Sequence, residues 1–239
     1  MEQHLEPFKI QNWYTRLSLY TLPAVFVYLS ENEIDSLANG DSQSKNRNDI
    51  VSRLQIAMQK FSLTRFVGTD FVAPTDTNRF EDKHGAVCSA ESAWNILCSS
   101  AKVRNAAQNH EVSLISVKPF RRMNPDREFR LFIKDGKLRA MSQYWLTKYL
   151  PAITKKKDFY WELAEKFVNR IFWVLPYKDI VLDIYFTSKD EILVIDLNPF
   201  GEPTDPLMLN SWNYDWNSEK GIKLIPSPTS VSGDINVSF

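Results

Sequence analysis

The stretch 180–198, IVLDIYFTSKDEILVIDLN, decides the architecture. Two apolar runs, 180–187 and 191–198, flank a short polar turn, which is the pattern of a β-hairpin. Closing the turn over Lys189-Asp190 sets Ser188 opposite Glu191 and Asp183 opposite Asp196. In that register Leu182, Ile184 and Phe186 meet Leu197, Ile195 and Leu193 on one wholly apolar side, and Asp183 and Tyr185 share the other side with Asp196 and Asn198. Like charges directly opposite one another destabilise a sheet, so two facing carboxylates call for a positive charge between them. A divalent cation meets that need, because two carboxylates and the amide oxygen of Asn198 are hard oxygen ligands of the kind Mg²⁺ takes. The competing reading is a solvated polar face whose repulsion nearby Lys or Arg side chains relieve. The sequel Asn198-Pro199-Phe200-Gly201-Glu202-Pro203-Thr204-Asp205 adds turn residues and acids at the same strand end, and irregular polar backbone of this sort is where ligands commonly bind.

Upstream, residues 129–142 read as a second hairpin around Asp135-Gly136, a dipeptide suited to the type I′ turn because both positions take positive φ. Closing over it sets Glu128 opposite Gln143, Arg130 opposite Met141 and Phe132 opposite Arg139. Phe129, Leu131 and Ile133 then fall on a buried face with Leu138, Ala140 and Ser142. Arg130, Glu128 and Gln143 share the less apolar side, where a guanidinium is able to clamp phosphate oxygens and Glu or Gln to orient it. An ordinary solvated strand face accounts for the same residues. Lys118, in a strand over 114–120, is a further basic candidate. The segment 118–130 gathers Lys118, Arg121, Arg122, Arg127 and Arg130 between Phe120 and Phe129. RNA phosphates suit such a patch, but 29 Lys+Arg balance 29 Asp+Glu, so a nucleoside triphosphate explains it more economically and no specific nucleic acid is expected. GxxxxGK[ST], GxGxxG and GxSxG are all absent, which excludes the commonest nucleotide folds and the serine-hydrolase elbow.

A chain of 239 residues fits one domain, or one domain of two lobes, and 44% hydrophobic with 24% charged residues is an ordinary globular composition. Cys88 and Cys98 make no disulfide scaffold, and the start MEQHLEPFKIQNWY has neither a basic nor an apolar signal region, so a reducing, cytoplasmic setting is expected. No apolar window approaches the ~18 residues of a membrane span. His4, His84 and His110 do not stand at ligand spacing from either cysteine and read as exposed polar residues. Residues 40–48 form a loop, residues 49–61 an amphipathic helix capped by Asp49, residues 71–85 a turn-rich stretch, residues 89–108 a helix capped by Ser89, and residues 157–175 another helix. Interspersed helices and hairpins argue α+β.

The ordered set SVKPF, REFRLFIKDGKLRAMSQ, VLDIYF, VIDLNPFGEPTDPL and the PSP at Pro226 resembles the cell division cycle protein 123 family, an offshoot of the ATP-grasp fold. Trp13-Tyr14 and Cys98-Ser99-Ser100 also look like motifs of that family. The resemblance implies an α+β, two-lobed ATP-grasp-like fold, about residues 1–117 forming an N-terminal lobe and about residues 118–239 a C-terminal lobe that carries the hairpins. It implies Mg-ATP held between the lobes, Asp183, Asp196 and Asn198 on the metal, Arg130 on phosphate, and Lys118 and Phe120 at the hinge to the adenine. Glu128 and Gln143 complete the expected nucleotide site. It implies, further, a chaperone-like role in assembling translation initiation factor 2 through its gamma subunit, as a monomer. Gly68, Cys98 and Tyr144 stand where typical members carry cations, which would weaken or re-aim nucleotide binding. The alternatives are an ATP-grasp ligase or kinase with an unknown acceptor, and a scaffold that binds no nucleotide.

Overall fold

The structure is a computed structural model and describes residues 5–213, 215–218 and 220–228. His4 lies outside the described residues, and His84 and His110 are exposed as expected. The chain runs α1 (Ile10–Leu17), β1 (Val25–Tyr28), α2 (Glu31–Asn39), α3 (Arg47–Met58), β2 (Arg65–Thr69), α4 (Asn78–Lys83), α5 (Ala90–Ser99), α6 (Ala101–Gln108), β3 (Leu114–Pro119), β4 (Glu128–Lys134), β5 (Lys137–Gln143), α7 (Pro151–Thr154), α8 (Lys157–Ile171), β6 (Ile180–Phe186), β7 (Ile192–Pro199) and β8 (Ile222–Lys223). None of these helices is long and apolar enough to cross a membrane.

Two sheets organise the protein. The first is antiparallel in the order β1-β3-β2, the second has the order β7-β6-β4-β5-β8, and the α+β expectation with antiparallel hairpins in the C-terminal part holds. Helices α2, α3, α5 and α6 bury Leu37, Leu54, Trp94, Leu97 and Val103 against Val67 and Val117 of the first sheet. Helix α8 lays Tyr160, Phe167 and Ile171 on Phe129, Leu131 and Leu182 of the second. Trp13 and Leu17 of α1 join that second core, although the sequence assigns them to the N-terminal lobe. Asp70 fixes the attachment. Its backbone carbonyl accepts from Ile10 N at 3.1 Å and its carboxylate from Gln11 Nε2 at 2.7 Å.

Some local expectations change. The helix over 49–61 starts at Arg47 and stops at Met58, with Asn46 at its N-cap, so Asp49 lies in the first turn, where a carboxylate still complements the helix dipole. The turn-rich stretch contains the six-residue α4, capped by Thr77. The single helix over 89–108 is two, because Ser100 leaves helical geometry (ψ 124°) and its hydroxyl accepts from Val103 N to start α6. Ser89 caps α5 as expected.

The hairpins carry the main corrections. Asp135 and Gly136 have φ of +51° and +70°, as a type I′ turn requires, and pairing begins at Lys134↔Lys137 and Ile133↔Leu138. Arg139 then bulges out, Phe132 meets Ala140, Arg130 meets Ser142 and Phe129 meets Gln143. Ala140 and Ser142 therefore join Arg130's face, and Gln143 leaves it. In the other hairpin Thr187, not Ser188, pairs with Glu191, across a loop that Asp190 closes at φ +60°. Ile184, Tyr185 and Phe186 meet Val194, Leu193 and Ile192, Ile195 bulges out, and Asp183 still faces Asp196. The longer loop and the bulge offset each other by one residue.

Candidate functional site

Strand alternation gathers the acidic site on the face of the second sheet that α8 does not cover. Arg130 pairs with Asp183 across β4 and β6, Asp183 with Asp196 across β6 and β7, and Asn198 stands opposite Val181 two pairs further along, on the same face. Glu128, opposite Tyr185, extends the same face. The positive charge that the facing carboxylates call for is present within the chain. Arg130 Nε and Nη2 reach the two oxygens of Asp183 at 2.7 and 2.8 Å, a bidentate fork with both residues 7% exposed. Its Nη1 donates to the carbonyl of Asp205 at 2.7 Å, and the guanidinium lies 5.3 Å from the Tyr144 ring centroid. Asn198 Nδ2 adds a third donor to Asp183, 3.1 Å from Oδ2.

Asp196 is left less well provided. Its Oδ1 accepts from Leu197 N at 2.9 Å. Burial and the Asp183 charge push its pKa up to about 7 against the pull of Lys118, the Leu197 amide and Arg130. Burial lowers the pKa of Lys118 in turn, with Asp196 opposing. Both residues are half-buried. Lys118 belongs to β3 and Asp196 to β7, so this electrostatic pair joins the two sheets.

The other expected residues are dispersed. Glu128 accepts from Trp145 Nε1 at 2.9 Å, and burial raises its pKa. Gln143 is 1% exposed on the α8 face, where its Nε2 donates to the carbonyls of Trp145 and Lys148 and its Oε1 accepts from Ile225 N. It braces the loop after β5 and does not meet Arg130. Phe120 follows β3 and donates its N–H to Thr64 O at 3.0 Å. Cys98 is buried in the first core and burial pushes its thiol up to about 12, so it supplies no ionic contact. Gly68 pairs with Ser116 in the first sheet, and a Cβ there would come 3.2 Å from Val72 O. Asp205, Tyr144 and Trp145 are the contributors that the hairpin pattern alone does not reveal. Asp205 acts through a backbone carbonyl, which no residue type announces. Among the described residues no group of three or more His, Cys, Asp or Glu is assembled to hold a metal.

Comparison with known proteins places this geometry. The family model D123 matches residues 28–222, which span both sheets from β1 into β8. The chain belongs to the D123 family. The structure of C-terminally truncated Cdc123 from Schizosaccharomyces pombe superposes with a TM-score of 0.79 over 93% of this chain and 96% of that one, at 22% identity, so the two share the fold. Cell division cycle protein 123 of Candida glabrata is 39% identical over 93 residues, 38% of this chain and 26% of that protein. The translation initiation factor eIF2 assembly protein of Vanderwaltozyma polyspora is 27% identical over 194 residues, 76% of this chain and 51% of that protein. This D123 chain thus spans between about a quarter and half the length of these curated relatives.

Proposed function

We propose that this D123 protein binds Mg-ATP over the Arg130–Asp183–Asp196 face and acts as an assembly factor for translation initiation factor 2, through its gamma subunit, in the cytoplasm. The observation that carries the nucleotide reading is Asp196, a carboxyl enclosed opposite Asp183, pushed up to about 7 and only partly compensated by a lysine from the other sheet. Such a group favours an added cation. The donor set fits magnesium. Asp196 Oδ2 accepts no hydrogen bond among the described residues, Asp183 Oδ1 accepts one and so retains a lone pair, and Asn198 Oδ1 is a further hard oxygen. Asp183, Asp196 and Asn198 would hold the ion, which would neutralise phosphate charge. Arg130 fixes Asp183 and orients it, Lys118 offers a charge to phosphate, and Phe120 lies where the chain leaves β3 toward the hinge. The names of the relatives support the assembly role, a binding task that needs no acceptor chemistry.

One observation favours a second reading, a scaffold without nucleotide. Each nitrogen of Arg130 already donates to protein, and Gly68, Cys98 and Tyr144 bring no cation. Calorimetric titration with ATP, with and without Mg²⁺, separates the two, run on the wild type, Asp183→Asn and Asp196→Asn. Magnesium-dependent binding that both variants lose is the expected result. Silence in the wild type overturns the nucleotide claim, and ATP turnover with an acceptor would turn the assignment toward a ligase or kinase. Pull-down of the isolated gamma subunit tests the partner separately.

A further inference from the structure

A second polar site lies on the α8 side of the large sheet, away from the carboxylates. The crevice between β5, α8 and the positions of Asn217 and Lys220 has a volume of about 310 Å³ and is lined by Lys137, Arg139, Glu165, Asn169, Asn217 and Lys220. Arg139 is the bulged residue of β5, paired with nothing on β4. A bulge re-aims one side chain out of the strand's alternation, and here it turns the guanidinium toward the Glu165 and Asn169 positions of α8. The Nε of Arg139 is buried and has no acceptor, and among the described residues Arg139 forms no ion pair. Buried donors almost always have partners in native proteins, so a buried Nε–H without one points to a ligand.

The geometry points to a binding site for a phosphate dianion, free or as a monoester. Among the described residues three cations, Lys137, Arg139 and Lys220, face one carboxylate, Glu165, whose Oε1 is 3.6 Å from Lys220 Nζ. The excess of two positive charges matches a dianion, the planar fork of Arg139 suits phosphate oxygens, and the amides of Asn169 and Asn217 are able to donate to the rest. A small rotation of the guanidinium onto the ligand gives Nε its missing acceptor. The competing account, long basic side chains covering the flank of α8, leaves that N–H unsatisfied.

The test is a nuclear magnetic resonance titration of the full ¹⁵N-labelled chain, following the Arg139 Nε–H signal, assigned by its loss in Arg139→Lys. Inorganic phosphate and an O-phosphoserine tripeptide are added at constant ionic strength, with sodium chloride as the control. A saturating shift is expected, with half-saturation in the low millimolar range or below. Affinity should rise from about pH 5.5 to about pH 7.5 as the phosphate takes its second charge. Read on the amides of residues 137–140, Arg139→Gln should weaken binding about tenfold or more. Lys137→Gln should weaken it, and Glu165→Gln tighten it, by about two- to fivefold. Tighter binding of the tripeptide assigns the site to a phosphorylated protein segment, and equal binding assigns it to the free anion, both within the proposal. A shift that stays linear to about 20 mM, or that chloride reproduces, overturns it, as does Glu165→Gln without effect. Phosphate bound at the carboxylate face moves other resonances, so failure of one site is distinct from failure of the other.

Discussion

Asp70 is buried and Asp196 half-buried, and the fold treats the two aspartates in opposite ways. Asp70 is 2% exposed, and its carboxylate accepts from Ser113 N, Ser113 Oγ, Leu114 N and Gln11 Nε2. It fastens α1 to the edge of the first sheet. Asp196 has one backbone donor, a like charge across the strand pair and a lysine that acts from the other sheet. A satisfied buried charge holds structure together. An under-satisfied one is costly, and it persists because the hairpin around it is fixed by apolar packing on the opposite face.

This contrast gives four expectations, from the largest effect down. Asp70→Ala leaves the Ser113 and Leu114 amides without acceptors and should cost about 3–5 kcal/mol in urea denaturation, whereas Asp196→Ala should cost less than about 1 kcal/mol. Comparable losses at the two positions would erase the distinction. Arg130→Met strands the Asp183 carboxylate and should cost about 3 kcal/mol; adding Asp183→Leu should recover most of it, which a double-mutant cycle measures.

The third concerns pH. The folded-state pKa of Asp196, pushed up to about 7, lies above the unfolded value of about 3.9. Between the two the folded chain binds more protons than the unfolded one, so this group makes stability fall as pH rises from about 4 to about 7. Asp196→Asn should remove that fall and be more stable than the wild type at pH 8 by on the order of 1–2 kcal/mol. Identical pH profiles for the two proteins would place the carboxyl in a solvated setting. Asp76 gives the smallest effect and the opposite slope. Burial pushes its carboxyl up, but hydrogen bonds from Ser100, Lys102 N and neighbouring backbone outweigh burial and hold it low, so its contribution is lost as pH falls through the acid range. Asp76→Ala should cost about 1 kcal/mol, seen as a small drop in Tm at pH 7 that shrinks as the pH falls through the acid range.

Much of the site was legible in the sequence. The Asp135-Gly136 turn, the facing of Asp183 and Asp196 and the place of Asn198 beside them follow from turn chemistry and strand alternation, both short-range properties. The aspartate pair emerged in the right register although the turn was read one residue too short, because the bulge at Ile195 restores the offset. The other hairpin shows the opposite outcome. Its turn was read correctly, and the bulge at Arg139 moved Gln143 to the far face.

The sequence by itself determined the strand over 114–120 and the two hairpins, where the tight Asp-Gly turn falls, and which carboxylates share a face, since side-chain alternation and positive-φ preference act within a few residues; β1, β2 and β8 carry no such signal. Only the tertiary structure decided the two bulges, the capture of Asp183 by Arg130, the approach of Lys118 to Asp196 and the docking of α1 on the second core. A bulge leaves no residue-type signature outside glycine, and ion pairs between residues 53 positions apart depend on how strands are ordered in the sheet. That order is set by packing over the whole chain, and so is the choice of which charges are fully hydrogen-bonded and which are not.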